Sequence, residues 1–239
     1  MWNDQKVSLV MPTYREKDSI RECVSKFLET NIFDEIIIVD NNAERGTLEA
    51  ISDLGVIIIS ESKQGYGSAI KRGLRQSSGD ITIICEPDGT FTPADVFKLL
   101  SYSRECDVVF GSRTVQTFIW GNANMGWFLR WGNWAVAKFL EVLFNTSYMS
   151  DVGCTFRLLN RKSLNFINSQ FLSDKSSYGL EIQVAVVKSK QLKYVQIPVN
   201  YGTRVGESTI TGEVGKSIKL GLRMIWIISR ERFNFSSRN

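Results

Sequence analysis

Histidine is absent from the 239 residues, and this absence excludes more chemistry than any other feature of the composition. Without an imidazole the chain cannot build a Ser-His-Asp or Cys-His triad, a histidine-ligated zinc site or a histidine general base. Acid–base chemistry must therefore come from carboxylates, and a metal site must be rich in oxygen ligands. Such a site favours Mg²⁺ or Mn²⁺ over zinc.

Cysteines and long apolar runs are also scarce. The four cysteines are scattered without CxxC spacing, so we expect free, buried thiols and a reducing compartment. No apolar run approaches the roughly 20 residues of a membrane-spanning helix, and the N-terminus lacks the pattern of a secretory signal. We therefore expect a cytoplasmic protein that is not integral to the membrane. The net charge of +4 gives no reason to expect a nucleic-acid partner.

Short runs rich in valine and isoleucine alternate with helix-period segments over the first half of the chain. Continuous β-branched runs are typical of strands that are covered on both faces. The predicted strands are residues 7–11, 35–40, 55–60, 80–85 and 107–112, and the predicted helices are residues 19–29, 46–54, 66–77 and 93–103. This order predicts an α/β fold with a mostly parallel sheet and helices on both faces. In such sheets, ligands bind beyond the carboxyl ends of the strands.

The alternation ends after Arg113. A long tryptophan-rich segment covers residues 116–147, followed by a helix-like pattern at 178–190, a predicted strand at 193–201 and a glycine-bearing loop at 202–215. No internal repeat or Pro/Gly linker interrupts the chain. We therefore expect a single domain with inserted and terminal helices.

The stretch ICEPDG, residues 84–89, places the carboxylates of Glu86 and Asp88 at the end of the fourth predicted strand. Mg²⁺ and Mn²⁺ are usually held by one or two carboxylates together with the phosphates of a substrate. The pair therefore predicts a metal site that neutralises a departing diphosphate. The alternative is a solvated turn, because Pro-Asp-Gly is a strong turn sequence.

Two further loops carry residues suited to phosphate binding. Gly65 and Gly67 stand at the start of a predicted helix, where the backbone could approach a phosphate or a ribose closely. Arg204 lies between glycines and is followed by Ser208, in a loop that could close over a diphosphate. Each feature has a plain alternative: a commonplace turn before a helix in the first case, and an ordinary surface loop in the second.

Six motifs follow one another along residues 5–210. They are VSLVMPTYREKDSI, EIIIVDNN, KQGYGSAIKRGLRQSSGDITIICEPDGTFTPADV, DVVFGSR, DVGCTFRLLNR and YGTRVGEST. In that order they resemble the family-two inverting glycosyltransferases of GT-A fold, and most of all the branch of dolichol-phosphate mannosyltransferases. The resemblance implies a GT-A fold. It also implies metal-dependent, inverting transfer of a sugar from a nucleotide-sugar donor to a polyprenyl phosphate of dolichyl or undecaprenyl type.

The resemblance implies donor-binding roles in the first half of the chain. Pro12, Tyr14 and Glu16 would contact the nucleotide base, and Asp40 the base or the ribose. Residues 1–113 would form the nucleotide-sugar-binding half of a single domain, residues 114–213 the acceptor half and residues 214–239 a C-terminal amphipathic helix. The complete set expected to bind the donor is Pro12, Tyr14, Glu16, Asp40, Gly65, Gly67, Glu86, Asp88, Arg204 and Ser208.

Catalytic roles are implied for Asp88, Asp151, Arg113 and Arg204. Asp88 and Glu86 would bind the metal, Mg²⁺ or Mn²⁺, and through it the diphosphate. Arg204 would clamp the donor diphosphate, and Arg113 would face the transferred or acceptor phosphate. Asp151 matches a family aspartate beside the acceptor.

The chain departs from the family pattern around the metal motif. Glu86 stands where the family has aspartate, so it would bind either the metal or the ribose. Thr90 and Phe91 replace a frequent glutamine and histidine. Metal coordination would then depend on Asp88 and the diphosphate.

The tryptophan-rich segment has an unusual distribution of side chains. On a helix that begins near Trp127, the tryptophans share a face with charged residues, away from the aliphatic stripe. That face contains Trp127, Arg130, Trp131, Trp134, Lys138 and Glu141. The pattern suits a membrane–water interface. A protein–protein face, toward a second copy or an integral-membrane partner, is the alternative.

A basic stripe near the C-terminus favours the membrane. It consists of Lys216, Lys219, Arg223 and Arg230, and apolar residues occupy the rest of the helix. We therefore expect the protein at the inner face of the membrane.

The identity of the acceptor decides whether a general base is needed. An acceptor phosphate is already anionic and needs none. A sugar hydroxyl of a lipid-linked or cell-surface polysaccharide intermediate needs one, and Asp151 is then the candidate. A catalytically silent nucleotide-sugar-binding protein is a further alternative. A nicotinamide-dependent Rossmann enzyme is disfavoured, because PTYREKD rather than a glycine fingerprint follows the first strand.

Overall fold

The computed structural model of the chain describes residues 1–121, 123, 125–146, 148–206 and 214–233, without the side chains of residues 214 and 216. The strands are β1 Val7–Thr13, β2 Glu35–Asp40, β3 Ile57–Ser60, β4 Ile81–Ile84, β5 Val108–Ser112, β6 Arg157–Asn160 and β7 Tyr194–Pro198. The helices are α1 Lys17–Leu28, α2 Tyr66–Gln76, α3 Asp95–Ser101, α4 Trp127–Phe144, α5 Arg161–Asn168, α6 Tyr178–Ser189 and α7 Val214–Phe233.

All these strands belong to one mostly parallel sheet, in the order β3-β2-β1-β4-β6-β5-β7. Strands β1, β2, β3 and β4 pair in parallel, as do β5 and β7. Strand β6 is antiparallel to both of its neighbours, β4 and β5. Strand β6 comes from the second half of the chain, so both halves contribute to one continuous sheet.

The central strands are covered on both faces, as the β-branched runs predict, but the same prediction is wrong for β3, which lies at the edge of the sheet and exposes Ile57 and Ile58. Every residue of β1 is buried, and its side chains alternate between the two layers. Leu9 and Met11 pack in the cluster that includes α1 and α3, whereas Val10 packs with Ala69 of α2. Helices α4 to α7 complete the second layer through a cluster that includes Leu140 and Ile228.

The structure lacks a helix that the sequence predicts and contains a strand that it does not predict. Residues 46–54 do not form a helix: the segment contains a single 3₁₀ turn, Glu49–Ile51, between the left-handed residues Gly46 and Gly55. A segment this short, with glycine at both ends, lacks the turns that make a helix stable. Strand β6 has only four residues and no β-branched side chain. Its pairing with β4 and β5 forms it.

The tryptophan-rich helix begins at Trp127, as predicted. Its aliphatic stripe faces inward, because Val136, Ala137 and Leu140 are buried. The exposed fraction of Trp127 is 72%, and Trp131 and Trp134 are also exposed. Helix α7 packs against α4. The expected C-terminal helix is described over residues 214–233, and residues 234–239 lie outside the described part.

Close packing of α2 on the sheet gives a stability prediction. A Cβ at Gly73 would overlap the Val10 side chain and lie 3.0 Å from Cγ2 of Val39. Gly73→Ala should therefore lower the free energy of unfolding by about 1–3 kcal/mol, although alanine is the better helix former. Gly215→Ala in α7 is the control, since nothing lies within 4 Å of its added methyl group. Denaturant unfolding of both variants measures the difference, and equal stability of Gly73→Ala and the wild type would contradict it.

Candidate active site

Residues expected to bind ligands gather at one edge of the sheet. The carboxyl ends of the parallel strands meet there, and the segment that leads into antiparallel β6 reaches the same edge. A cavity of about 640 Å³, the central cavity, lies at this edge. Among the predicted residues it is lined by Pro12, Tyr14, Glu16, Gly65, Glu86, Asp88, Arg113 and Arg204. Its volume is in the range of small-molecule sites.

Asp88 is held rigidly in the cavity wall. Its exposed fraction is 1%. One carboxylate oxygen, Oδ1, accepts hydrogen bonds from the Thr90 amide at 3.0 Å and from the Thr90 hydroxyl at 2.6 Å. The turn is made by Gly89, whose φ of +80° favours glycine. Thr90 therefore orients Asp88 and leaves its second oxygen, Oδ2, for a cationic partner.

Arg204 supplies that partner. Its Nη1 lies 3.2 Å from Oδ2 of Asp88, and its Nη2 lies 3.1 Å from Oε1 of Glu16. The loop that carries Arg204 is tied to the metal motif, since Val205 donates its amide to the Asp88 carbonyl at 3.0 Å. Within the described part of the chain, Nε of Arg204 is buried without a hydrogen-bond partner. An anionic ligand in the cavity would satisfy such a donor.

Glu16 serves the loop after β1. Its Oε2 accepts hydrogen bonds from the backbone amides of Tyr14 at 2.7 Å and Arg15 at 2.8 Å, and from the Thr13 hydroxyl at 3.2 Å. Glu16 therefore fixes the shape of the loop and anchors Arg204. Pro12 and Tyr14 remain as lining residues that could meet a nucleotide base.

Glu86 is half-buried and lies beside charges of the same sign. Burial raises the pKa of its carboxyl to about 8, the negative charge of Asp88 adds to the rise, and Arg204 opposes it. Charging this side chain is therefore costly in the absence of a further cation.

Arg113 and Asp151 form a buried ion pair on the other side of the cavity. Nε and Nη2 of Arg113 donate to the two Asp151 oxygens at 2.9 and 3.1 Å, and the Arg113 amide donates to Oδ2 at 3.0 Å. The Gly153 amide adds a further bond to Oδ1 at 2.8 Å. Although burial raises the pKa of Asp151, Arg113 and these hydrogen bonds lower it overall. Both oxygens are thus engaged, which disfavours a general-base role.

Two of the predicted donor-binding residues do not line the cavity, and Asp151 does not line it either. Asp40 is not among the residues that line the cavity; its Oδ1 accepts from the Ala43 amide at 2.8 Å and holds the turn after β2. Gly67 also lies outside the lining. Ser208 falls outside the described residues. Direct contacts of Asp40, Gly67 and Ser208 with a nucleotide-sugar donor stay predictions.

Close packing explains the two glycines at the start of α2, Gly65 and Gly67. A Cβ at Gly67 would lie 2.6 Å from the Ser173 carbonyl, and one at Gly65 would overlap the Asp174 carbonyl. Their lack of side chains lets residues 173–174 pack against this loop. Asp174 strengthens the contact through ion pairs with Lys63 and Lys71.

Asn41, the neighbour of Asp40, lines the cavity and organises it. Its amide nitrogen donates to the carbonyls of Glu61 and Lys63, at 2.8 and 2.9 Å, and its Oδ1 accepts from the Gly65 amide at 2.8 Å. A polar side chain directly after a buried strand is the signal that would have identified it.

Arg157 is a second residue that the spacing does not reveal. It is buried in β6 and donates to the carbonyls of Cys154 and Gly179, and its guanidinium lies over the Phe110 ring at 5.5 Å. These bonds join the segment before β6 to the start of α6. Gly153, Thr155 and Gly179 in those two segments line the cavity.

The carboxylates at the edge of the cavity suit a divalent cation that is held jointly by the protein and a diphosphate. Glu86 and Asp88 offer only carboxylate oxygens, which are the ligands that Mg²⁺ and Mn²⁺ prefer. The raised pKa of Glu86 marks a place where added positive charge would relieve repulsion. No cluster of three or more His, Cys, Asp or Glu side chains suited to a metal is present in the described part of the chain. The remaining ligands of a metal would therefore come from substrate.

The mostly parallel sheet and a cavity with a carboxylate pair and arginines at its edge agree with a glycosyltransferase of the GT-A fold. The chain belongs to glycosyl transferase family 2, whose model matches residues 8–167.

Several curated proteins are similar to this chain. A dolichol-phosphate mannosyltransferase of Pyrococcus furiosus is 26% identical over 228 residues, which cover 87% of this chain and 60% of that protein. An undecaprenyl-phosphate mannosyltransferase of Micrococcus luteus is 23% identical, and the match covers 92% of this chain and 96% of that protein. The low-salt glycan biosynthesis hexosyltransferase Agl6 of Haloferax volcanii is 26% identical, with 85% of this chain and 49% of that protein covered. The chain thus spans about half the length of Agl6 and about three-fifths of the length of the Pyrococcus enzyme.

Solved structures confirm the fold. Glucosyl-3-phosphoglycerate synthase from Mycobacterium tuberculosis, in complex with Mn²⁺, UDP and glucosyl-3-phosphoglycerate, superposes with a TM-score of 0.71 at 16% identity. The match covers 97% of this chain and 81% of that one. The same enzyme has also been crystallised with Mg²⁺ and UDP.

Among the described residues, no helix combines the length and the apolar character that crossing a bilayer requires.

The raised pKa of Glu86 gives a prediction about stability and pH. The pKa of Glu86 is about 8 in the folded chain and about 4.3 in an unfolded one, so between pH 5 and 8 the folded form binds more protons. Rising pH should therefore destabilise the wild type, by up to about 1.4 kcal/mol per unit. Glu86→Gln removes this contribution, and its stability advantage should widen from pH 5 to pH 8.

Thermal and denaturant unfolding in the presence of a chelator measures this difference. The same substitution at the exposed Glu44 is the control and should give a curve parallel to that of the wild type. A constant gap between Glu86→Gln and the wild type across this range would contradict the prediction.

Proposed function

We propose that the chain transfers a sugar from a nucleotide-sugar donor to a polyprenyl phosphate, using Mg²⁺ or Mn²⁺ and with inversion at the anomeric carbon. The observation that supports this best is that one cavity combines two kinds of lining. Glu86 and Asp88 line one part of it, and apolar side chains of α4 and α7 line another. The acidic part suits a metal-bound diphosphate, and the apolar part suits a hydrocarbon chain. The mannosyltransferase relatives, named for dolichol phosphate and undecaprenyl phosphate, support this acceptor class.

The donor would bind between β1, β2 and the metal motif. Pro12, Tyr14 and Asn41 line that part of the cavity, so the base would lie against them. A metal ion at Asp88 and Glu86 would offset the negative charge that develops on the departing nucleoside diphosphate. The catalytic role of Asp88 follows from this position.

Arg204 would change partners when the donor binds. Its guanidinium contacts Asp88 and Glu16. In the loaded enzyme it would donate to the diphosphate and stabilise charge on the leaving group. The bond between the anomeric carbon and the diphosphate oxygen breaks as an acceptor oxygen attacks from the opposite side, and the nucleoside diphosphate leaves with the bonding electrons.

Arg113 would orient the acceptor phosphate, and Asp151 would act through it. Asp151 holds the guanidinium by two side-chain bonds, and Nη1 of Arg113 is not used in them. A phosphate acceptor needs no proton removed, which agrees with the low pKa of Asp151. Asp151 is therefore proposed as a positioning residue.

The protein would bind to the surface of a membrane through α4 and α7. Exposed tryptophans occur on both helices, with exposed fractions of 72% for Trp127 and 59% for Trp226. Cations lie over two such rings: Lys138 over Trp134 at 5.9 Å and Arg230 over Trp226 at 5.0 Å. Tryptophan beside lysine and arginine is typical of the membrane–water interface.

The transfer reaction can be tested directly. Labelled nucleotide sugars, offered with Mn²⁺ or Mg²⁺ and with undecaprenyl or dolichyl phosphate, should give label in the organic phase. Asp88→Asn should lower kcat/KM by at least about 100-fold, because it removes charge beside the leaving group. Asp18→Asn, an exposed change in α1, is the matched control and should retain full activity.

Other outcomes would overturn the proposal in distinct ways. Label that stays in the aqueous phase on a sugar product would indicate a hydroxyl acceptor. Calorimetric binding of the donor without release of nucleoside diphosphate would indicate a silent binding protein.

Membrane binding can be tested separately. The double variant Trp127→Ser, Trp131→Ser should reduce co-sedimentation with anionic phospholipid vesicles at least several-fold, because two interfacial side chains are lost. Tyr102→Ser removes an exposed aromatic residue outside α4 and α7 and should bind as the wild type does. Equal vesicle binding by the double variant and the wild type would contradict the role of this face.

A further inference from the structure

Helices α4 and α7 form one wall of the central cavity, which we call the α4–α7 groove. It is lined by Leu129, Gly132, Val136, Leu220, Gly221 and Met224. The α4 positions 129, 132, 133 and 136 have the i, i+3, i+4, i+7 spacing of a single helix face. Positions 217, 220, 221 and 224 repeat that spacing on α7. Each helix therefore presents one stripe to the cavity.

The α4–α7 groove begins beside Arg113, the residue proposed to orient the acceptor phosphate. A Cβ at Gly153 would lie 2.8 Å from Nη2 of Arg113 and 3.1 Å from Oδ1 of Asn133, so these two polar atoms converge on Gly153. Asn133 and Gly132 are neighbours in α4. Arg113, the residue proposed to orient the acceptor phosphate, thus lies close to α4, and the same face of α4 continues into the apolar wall at Leu129 and Val136.

The two glycines of the groove have no packing reason to be glycine. Nothing lies within 4 Å of a Cβ built at Gly132 or at Gly221. At Gly73, by contrast, a methyl group would overlap Val10. Glycine inside a helix costs about 1 kcal/mol relative to alanine. Both glycines therefore weaken their helices without allowing any close approach between elements.

Both glycines line the central cavity, and open space surrounds the position of a Cβ at each of them. A large side chain at either position would therefore take up space at the cavity wall. What the two glycines provide is room for an occupant, and the apolar neighbours Leu129, Val136 and Met224 indicate that the occupant is a hydrocarbon.

We propose that Gly132 and Gly221 determine acceptor specificity, by keeping the α4–α7 groove wide enough for the isoprenoid chain next to the acceptor phosphate. This inference rests on the function proposed above. The phosphate lies at Arg113, and the first isoprene units extend between the two helices.

Substitutions that fill the groove test the inference. Gly132→Leu and Gly221→Leu should each raise the KM for undecaprenyl phosphate or lower its kcat/KM by at least about tenfold, because misfit of a few methylene groups in an apolar site has that effect. The corresponding alanine variants should show a smaller loss. Helix stability should rise in all four, so the melting temperature separates a blocked groove from a damaged fold.

Gly215→Leu is the matched control, since Gly215 lies in α7 with open space around its Cβ and does not line the cavity. It should transfer sugar as the wild type does. Calorimetry with the nucleotide sugar and Mn²⁺ should give the same donor affinity for all variants, within about twofold.

The outcomes separate this inference from the proposed function. If the wild type labels undecaprenyl phosphate and the two leucine variants do so equally well, the role of the glycines is wrong and the proposed function stands. If the leucine variants lose donor affinity to the same extent as transfer, the glycines serve the donor site, and the inference is again wrong. If the wild type labels no polyprenyl phosphate, the proposed function itself fails.

Discussion

Repulsion among carboxylates at the end of β4 shapes the electrostatics of the candidate site. Glu86 and Asp88 follow a strand that is covered on both faces, and Glu16 approaches them from the loop after β1. Arg204 offsets part of this charge by bridging Glu16 and Asp88. The offset is incomplete, since the pKa of Glu86 still rises to about 8. An acidic site that its own arginine does not fully neutralise attracts further positive charge, and the affinity for a divalent cation proposed here has this physical origin.

The parts of the fold that depend on local sequence could be predicted. Runs such as EIIIVD are typical of strands buried on both faces, and the order of strands and helices then gives a mostly parallel sheet with its ligands at one edge. The features that the sequence pattern did not reveal depend on partners far away in the chain. RLLN becomes β6 because β4 and β5 lie on either side of it, and the packing of Gly65 and Gly67 against residues 173–174 depends on a segment about 100 residues further along the chain.

For the candidate site, too, the sequence predicts the positions of residues but not their side-chain contacts. Residues that follow a strand directly, such as Glu86, Asp88 and Arg113, could be placed in the cavity from their position alone. Their pairing could not. That Asp151 is bound by Arg113 and Gly153, and that Asp40 supports a turn while Asn41 faces the cavity, depends on side-chain directions that a linear pattern does not contain.

The antiparallel strand β6 limits how the enzyme can move. Strand β6 is hydrogen-bonded to β4 on one side and to β5 on the other, so it joins the two halves of the chain in one sheet. Closure of two lobes about a hinge would have to break the hydrogen bonds between β6 and its neighbours. Substrate exchange is therefore expected to leave the sheet intact and to change side-chain contacts at its edge, such as those of Arg204 with Asp88 and Glu16.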